Sequence, residues 1–65
     1  MIVLTKLNGV SFVMNCDLIE TITENPDTTI TLTNGNLYIV KERMQEVLDK
    51  TKAYKQQIFQ AYINP

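Results

Sequence analysis

The chain has 65 residues and a net charge of −1, with 45% hydrophobic and 20% charged residues. This is the balance of a small folded domain and not of a disordered segment. It contains no histidine and one cysteine, which removes the commonest general base and excludes a disulfide framework, a zinc ligand set and a Cys–His nucleophile.

The first element is a hairpin over IVLTKLNGVSFVM, turned at Asn8-Gly9. A two-residue type I′ turn needs positive φ at both central positions, and Asn-Gly meets that need at little steric cost. That turn places Leu7 opposite Val10, Thr5 opposite Phe12 and Val3 opposite Met14. One face then carries Val3, Leu7, Val10, Phe12 and Met14, and the other Ile2, Leu4 and Val13. A hairpin apolar on both sides is expected to be covered on both faces.

Asn15 and Asp17 are turn formers, and Leu18 to Glu24 is β-branched at Ile19, Thr21, Ile22 and Thr23, which predicts a third strand. Leu18, Ile19 and Ile22 also suit one helical turn at its start. Asn25-Pro26-Asp27 reads as a turn, with Pro26 presetting φ and Asp27 able to bond the backbone ahead.

TITLTNGNLYIV, Thr29 to Val40, is the cleanest strand signal. A type I′ turn at Asn34-Gly35 places Leu32 opposite Leu37 and Ile30 opposite Ile39 on a buried face. Thr29, Thr31 and Thr33 then share a wetter face with Tyr38 and Val40.

From Lys41 the period becomes helical. Met44, Val47, Thr51, Tyr54, Ile58 and Ala61 form one apolar stripe, with Leu48 and Tyr62 beside it. Such a helix outruns a two-hairpin sheet. Its last turns, with Ile58, Phe59, Tyr62 and Ile63, are expected to pack on a partner subunit.

The predicted fold class is therefore α+β. A small antiparallel β-sheet or barrel-like unit of two Asn-Gly hairpins plus a middle strand (1–40) precedes one C-terminal amphipathic helix (41–63), in a single domain over 1–65. A core this small supplies marginal stability. With open sheet edges that predicts a homo-oligomer, a trimer in preference to a dimer.

Five of the six basic residues (Lys41, Arg43, Lys50, Lys52, Lys55) follow residue 40. They alternate with Glu42, Glu46 and Asp49, which reads as a solvated helix face, so no nucleic-acid partner is expected. Ile2-Val3-Leu4 is interrupted by Thr5 and Lys6 before a signal-peptide core develops, and the apolar runs are too short to span a bilayer. The expectation is a cytoplasmic protein without membrane insertion.

No catalytic, cofactor or metal residues are assigned. The carboxylate of Asp17 beside Cys16 disfavours a reactive thiolate there. Nothing places Glu20 and Glu24 in a cleft, and neither Asn-Gly pair sits in a Gly-rich run leading into a helix. Tyr38, Tyr54 and Tyr62, spread over two elements, suit core or interface positions better than base stacking. An enzyme is not expected. The candidate interaction residues are Thr29, Thr31 and Tyr38 on the wetter sheet face and Phe59 and Tyr62 at the far end of the helix.

An ordered set of motifs goes further. L-T-x-L-N-G (Leu4, Thr5, Leu7, Asn8, Gly9) is followed by N-x-D-L-I-E-x-I (Asn15, Asp17, Leu18, Ile19, Glu20, Ile22). P-D-T-x-I-x-L-x-N-G (Pro26, Asp27, Thr28, Ile30, Leu32, Asn34, Gly35) and Y-x-V-K-E (Tyr38, Val40, Lys41, Glu42) come next. From Met1 to Leu48 this resembles the small flagellar FlbD/SwrD family of Gram-positive and related bacteria. Cys16 stands where that family commonly has proline. Arg43 stands where a serine often caps the helix, leaving Glu46 as the distal half of a capping box. The resemblance implies a non-enzymatic cytoplasmic protein supporting flagellar motility or swarming, with a motor or assembly protein as partner. The I-x-L-x-N-G-then-helix pattern also resembles DNA-binding modules of the LytTR and ComK type, which is the alternative reading.

Overall fold

The computed structural model describes the backbone of residues 1–63 and the side chains of residues 1–58. Its elements are β1 (Ile2–Thr5), β2 (Ser11–Met14), a 3-10 turn (Cys16–Leu18), β3 (Ile19–Glu24), β4 (Thr28–Leu32), β5 (Leu37–Val40) and α1 (Met44–Ile63). The α+β order is the expected one; the helical turn covers Cys16–Leu18, ahead of the strand, and not Leu18 to Ile22, of which Ile19 and Ile22 belong to β3. Asn15 caps the turn, its Oδ1 accepting from the Asp17 N–H at 3.1 Å.

Both Asn-Gly pairs turn hairpins, but neither turn is type I′. Gly9 and Gly35 have φ of +89° and +90°, and no other described residue has a positive φ. The Gly9 N–H donates to the Lys6 carbonyl and the Lys6 N–H to the Val10 carbonyl, each at 2.9 Å. The Gly35 N–H donates to the Leu32 carbonyl at 2.9 Å, and the Leu32 N–H to the Asn36 carbonyl at 2.8 Å. These are three-residue loops closed by a glycine bulge. The asparagines serve through their side chains instead: Asn8 Oδ1 accepts from the Val10 N–H at 3.0 Å, and Asn34 Oδ1 from the Asn36 N–H at 2.9 Å.

One extra loop residue slips each register by one, which exchanges the faces. In the first hairpin Ile2 pairs with Met14, Val3 with Val13, Leu4 with Phe12 and Thr5 with Ser11. Ile2, Leu4 and Met14 are thus buried, and Val3 and Val13 are exposed, so this hairpin is not covered on both faces. In the second, Thr28 pairs with Val40, Thr29 with Ile39, Ile30 with Tyr38 and Thr31 with Leu37. Val40 and Tyr38 therefore move to the core side, and Leu37 and Ile39 to the solvent side. β3 pairs antiparallel with β4, with a register shift between Ile19 and Thr21.

The result is two sheets, β1-β2 and β3-β4-β5, joined at one corner where Lys6 bridges to Val40. There the Lys41 N–H donates to the Thr5 carbonyl at 2.8 Å. The Thr5 N–H in turn donates to Glu42 Oε1 at 2.9 Å, and the Thr5 hydroxyl to Oε2 at 2.8 Å. Glu42 thereby pins the first strand to the segment that leads into the helix. Ile2, Leu4, Met14, Cys16, Ile30, Leu32, Val40 and Val47 form the buried core beneath the corner.

α1 begins at Met44 and not at 41, because residues 41 and 42 are held in the corner. Glu46 makes its half of a capping box, accepting from the Arg43 N–H at 3.2 Å. The missing serine is replaced from a distance: Glu24 Oε1, at the end of β3, accepts from the Met44 N–H at 2.6 Å. Glu24 Oε2 lies 3.6 Å from Arg43 Nη2, and Oε1 also accepts from the hydroxyl of the buried Thr28 at 3.5 Å. Of the predicted apolar stripe, Val47 is buried and Thr51 and Tyr54 half-buried, whereas Met44, Leu48 and Ile58 are exposed. The stripe position Ala61 and the partner-facing positions Phe59, Tyr62 and Ile63 lie outside the described side chains.

Two outcomes follow from this architecture. A Cβ at Gly35 meets nothing within 4 Å, so the cost of substitution lies in the backbone alone. Gly35→Val should lower stability by ~1–2 kcal/mol or more and Gly35→Asn by clearly less, because asparagine tolerates positive φ; equal melting temperatures would exclude the turn geometry described. Glu24→Ala should cost about 1 kcal/mol, the ordinary loss for a helix N-cap, and helix signal should fray before sheet signal in a thermal melt followed by circular dichroism.

Candidate interaction surfaces

Threonines at alternate positions of β3 and β4 and the odd-numbered residues of β5 share the solvent side of the larger sheet. Thr23, Thr29 and Ile39 lie in one row across the three strands, and Thr21, Thr31 and Leu37 in the next. Leu37 is 57% and Ile39 42% exposed, with Thr29 and Thr31 half-buried between them. Of the three expected sheet residues, Thr29 and Thr31 are thus together on this face. Tyr38 is on the opposite one. Its ring stacks on Phe12, with centroids 5.6 Å apart and planes at 23°, and Lys6 Nζ lies 5.6 Å from the Phe12 ring on the same side.

Sequence reasoning assigned Leu37 and Ile39 to the core and so missed the two large apolar side chains that give the face its character. The signal that finds them is the three-residue loop: pairing Asn36 with Leu32 in place of Thr33 exchanges the faces. The expected helix-end residues Phe59 and Tyr62 lie outside the described side chains.

Among the depressions formed by the described residues, two flank the sheets. One, of about 110 Å³, lies between β2 and the larger sheet and is lined by Phe12, Val13, Met14, Asn15, Leu32 and Tyr38. The other, of about 170 Å³, is polar and surrounds the capping carboxylate, with Glu24, Asp27, Thr28, Lys41 and Arg43 on its wall. Glu24 is engaged at the start of the helix and Cys16 is a buried free thiol. Among the described residues no group of three or more His, Cys, Asp or Glu could hold a metal ion, and no helix is long and apolar enough to cross a membrane.

Charge is fixed mainly at the corner. Burial pushes the Glu42 carboxyl upward, but the Thr5 N–H, the Thr5 hydroxyl, its own N–H and Lys50 outweigh that and hold it below its ordinary value. Lys55 is raised by its hydrogen bond to Asp17 and by the charge of that carboxylate. Their 3.0 Å contact is between side chains that are each 59% exposed, a geometry that contributes little to stability.

A small α+β scaffold with a threonine-lined, partly apolar sheet face defines a protein whose distinctive features are surfaces. The model of the FlbD family, flagellar and swarming motility proteins, matches residues 1–59, and the chain belongs to that family. Its role is accordingly in flagellar and swarming motility. No curated protein and no solved structure matches the chain. The family match runs beyond Leu48, where the sequence resemblance stopped, and takes in most of the helix. It lends no support to the LytTR- or ComK-like DNA-binding alternative.

Because Glu42 is held below its ordinary value in the fold, the unfolded chain binds its proton more readily. The carboxylate contributes stability that is present above the ordinary glutamate pKa of about 4.3 and is lost as pH falls through the lower folded value. Urea unfolding from about pH 7 to about pH 3 should therefore show a steeper acid loss for the wild type than for Glu42→Gln. Parallel profiles would mean that the carboxylate does not hold the corner.

Proposed function

We propose that the protein acts in motility without catalysis, as a cytoplasmic homo-oligomer that engages a flagellar motor or assembly protein through protein–protein contacts. The sequence supports the non-catalytic part, having no histidine and one cysteine. The observation that carries the contact surface is the exposure of Leu37 and Ile39 beside Thr29 and Thr31. Scattered single apolar side chains are ordinary on a surface, but neighbours on one pleated face are a mark of a binding patch.

The test is a chromosomal Thr31→Glu, Leu37→Lys double substitution. Neither side chain is buried, so the melting temperature and the oligomer mass should stay at wild-type values while swarming is lost. Full swarming by a strain that produces the double variant at wild-type levels would remove the sheet face as the contact surface.

A further inference from the structure

We propose that the open edge of β2 pairs antiparallel with the same edge of a second copy, so that two chains share one continuous sheet about a two-fold axis at Val13. β2 is bonded on one side only, to β1. The ladder starts with the Lys6 N–H donating to the Val10 carbonyl. In antiparallel pairing the bonded pairs then recur at every second position, at Leu4–Phe12 and Ile2–Met14. The N–H and C=O groups of Ser11 and Val13 therefore point away from β1, and among the described residues nothing bonds to them. Val13 is 63% exposed.

The larger sheet has an open edge on β3, and it is guarded. The register shift between Ile19 and Thr21 leaves Glu20 in a bulge, and Glu24 closes the strand with its carboxylate at the helix start. Bulges and charges are the devices that keep strand edges from pairing. Ser11-Phe12-Val13-Met14 has neither charge, proline nor bulge. β2 is thus an unprotected edge, whereas β5, the other edge of the larger sheet, is joined to the first sheet through the Lys6–Val40 bridge.

Self-pairing follows from the pattern Ser11-Phe12-Val13-Met14-Asn15, which runs polar, large apolar, valine, large apolar, polar in either direction. Turned about Val13, it sets Val13 against Val13, Phe12 against Met14 and Ser11 against Asn15, with no like charges opposed. Core-facing residues meet core-facing residues, and the incoming strand lies along the depression bordered by Phe12 and Met14. The interface is isologous and closes at two copies. A ring built by setting β2 of one copy on the β3 edge of the next meets the bulge and the carboxylates that guard that edge, which counts against this form of the trimer expected from the sequence. The inference deepens the oligomer part of the proposed function and is independent of the motility part, since its readouts are taken on the purified protein.

The experiment is light scattering of wild type, Val13→Lys and Leu37→Lys, with amide exchange of the wild type followed by NMR across a dilution series. The expected masses are twice 7.5 kDa for wild type and Leu37→Lys and 7.5 kDa for folded Val13→Lys, since like charges then face each other across the axis. The Val13 amide should exchange about ten-fold or more slowly at the highest concentration than at the lowest. This measurement decides the matter even if Val13→Lys does not fold. A monomeric or trimeric wild type, a folded Val13→Lys dimer, or a Val13 amide that exchanges freely in the dimer would each overturn the proposal.

Discussion

The carboxylate of Glu42 holds the fold at the point where it would otherwise come apart. It accepts both the N–H and the hydroxyl of Thr5, 37 positions away in sequence. Beside it, among the described residues, the Lys6–Val40 bridge, with the Lys41 N–H donating to the Thr5 carbonyl, joins the two sheets. Two sheets so slightly connected have little backbone pairing to fix their angle, and a charged acceptor of two short hydrogen bonds supplies the directionality that burial lacks.

The core depends on that corner. Leu4, Ile30, Val40 and Val47 are each buried almost completely and come from four different elements. Each gains its burial, roughly 1.5–3 kcal/mol for a side chain of this size, only when β1, the larger sheet and the helix are brought together. Glu24 performs a parallel task from the other side, tying the end of β3 to the first turn of the helix. Two acidic residues thus set the position of the helix relative to both sheets.

Much of this was legible in the sequence, and the failures have one cause. The turn positions, the middle strand and the central part of the helical stripe followed from Asn-Gly pairs, β-branched residues and periodicity. The phase of the alternation did not, because Asn8 and Asn34 are equally good as positive-φ residues in a two-residue turn and as side-chain acceptors in a three-residue one. In each hairpin both phases carry apolar residues, so composition could not arbitrate. Leu37 and Tyr38 exchanged faces as a result, and the candidate surface was half right: Thr29 and Thr31 stayed, Tyr38 left, and Leu37 and Ile39 entered. Glu46 was readable as half of a capping box. Glu24 was not, since it reaches the helix from 20 residues upstream and only the folded chain brings the two together.

The placement of β1 has a consequence for the order of events during synthesis. β1 lies between β2 and the end of β5, although it precedes both in the chain. The hairpin with β2 is local and forms on a microsecond scale, but its other neighbour and the carboxylate that clamps it are encoded near residue 42. Until then the nascent chain carries a two-stranded ribbon with its apolar side open, a unit that is at best marginally stable alone. Completion waits for the first turns of the helix, whose Val47 closes the core. The clamp on β1 and the side chain that closes the core are thus carried by one short stretch, Glu42 to Val47, and the corner and the core are completed together.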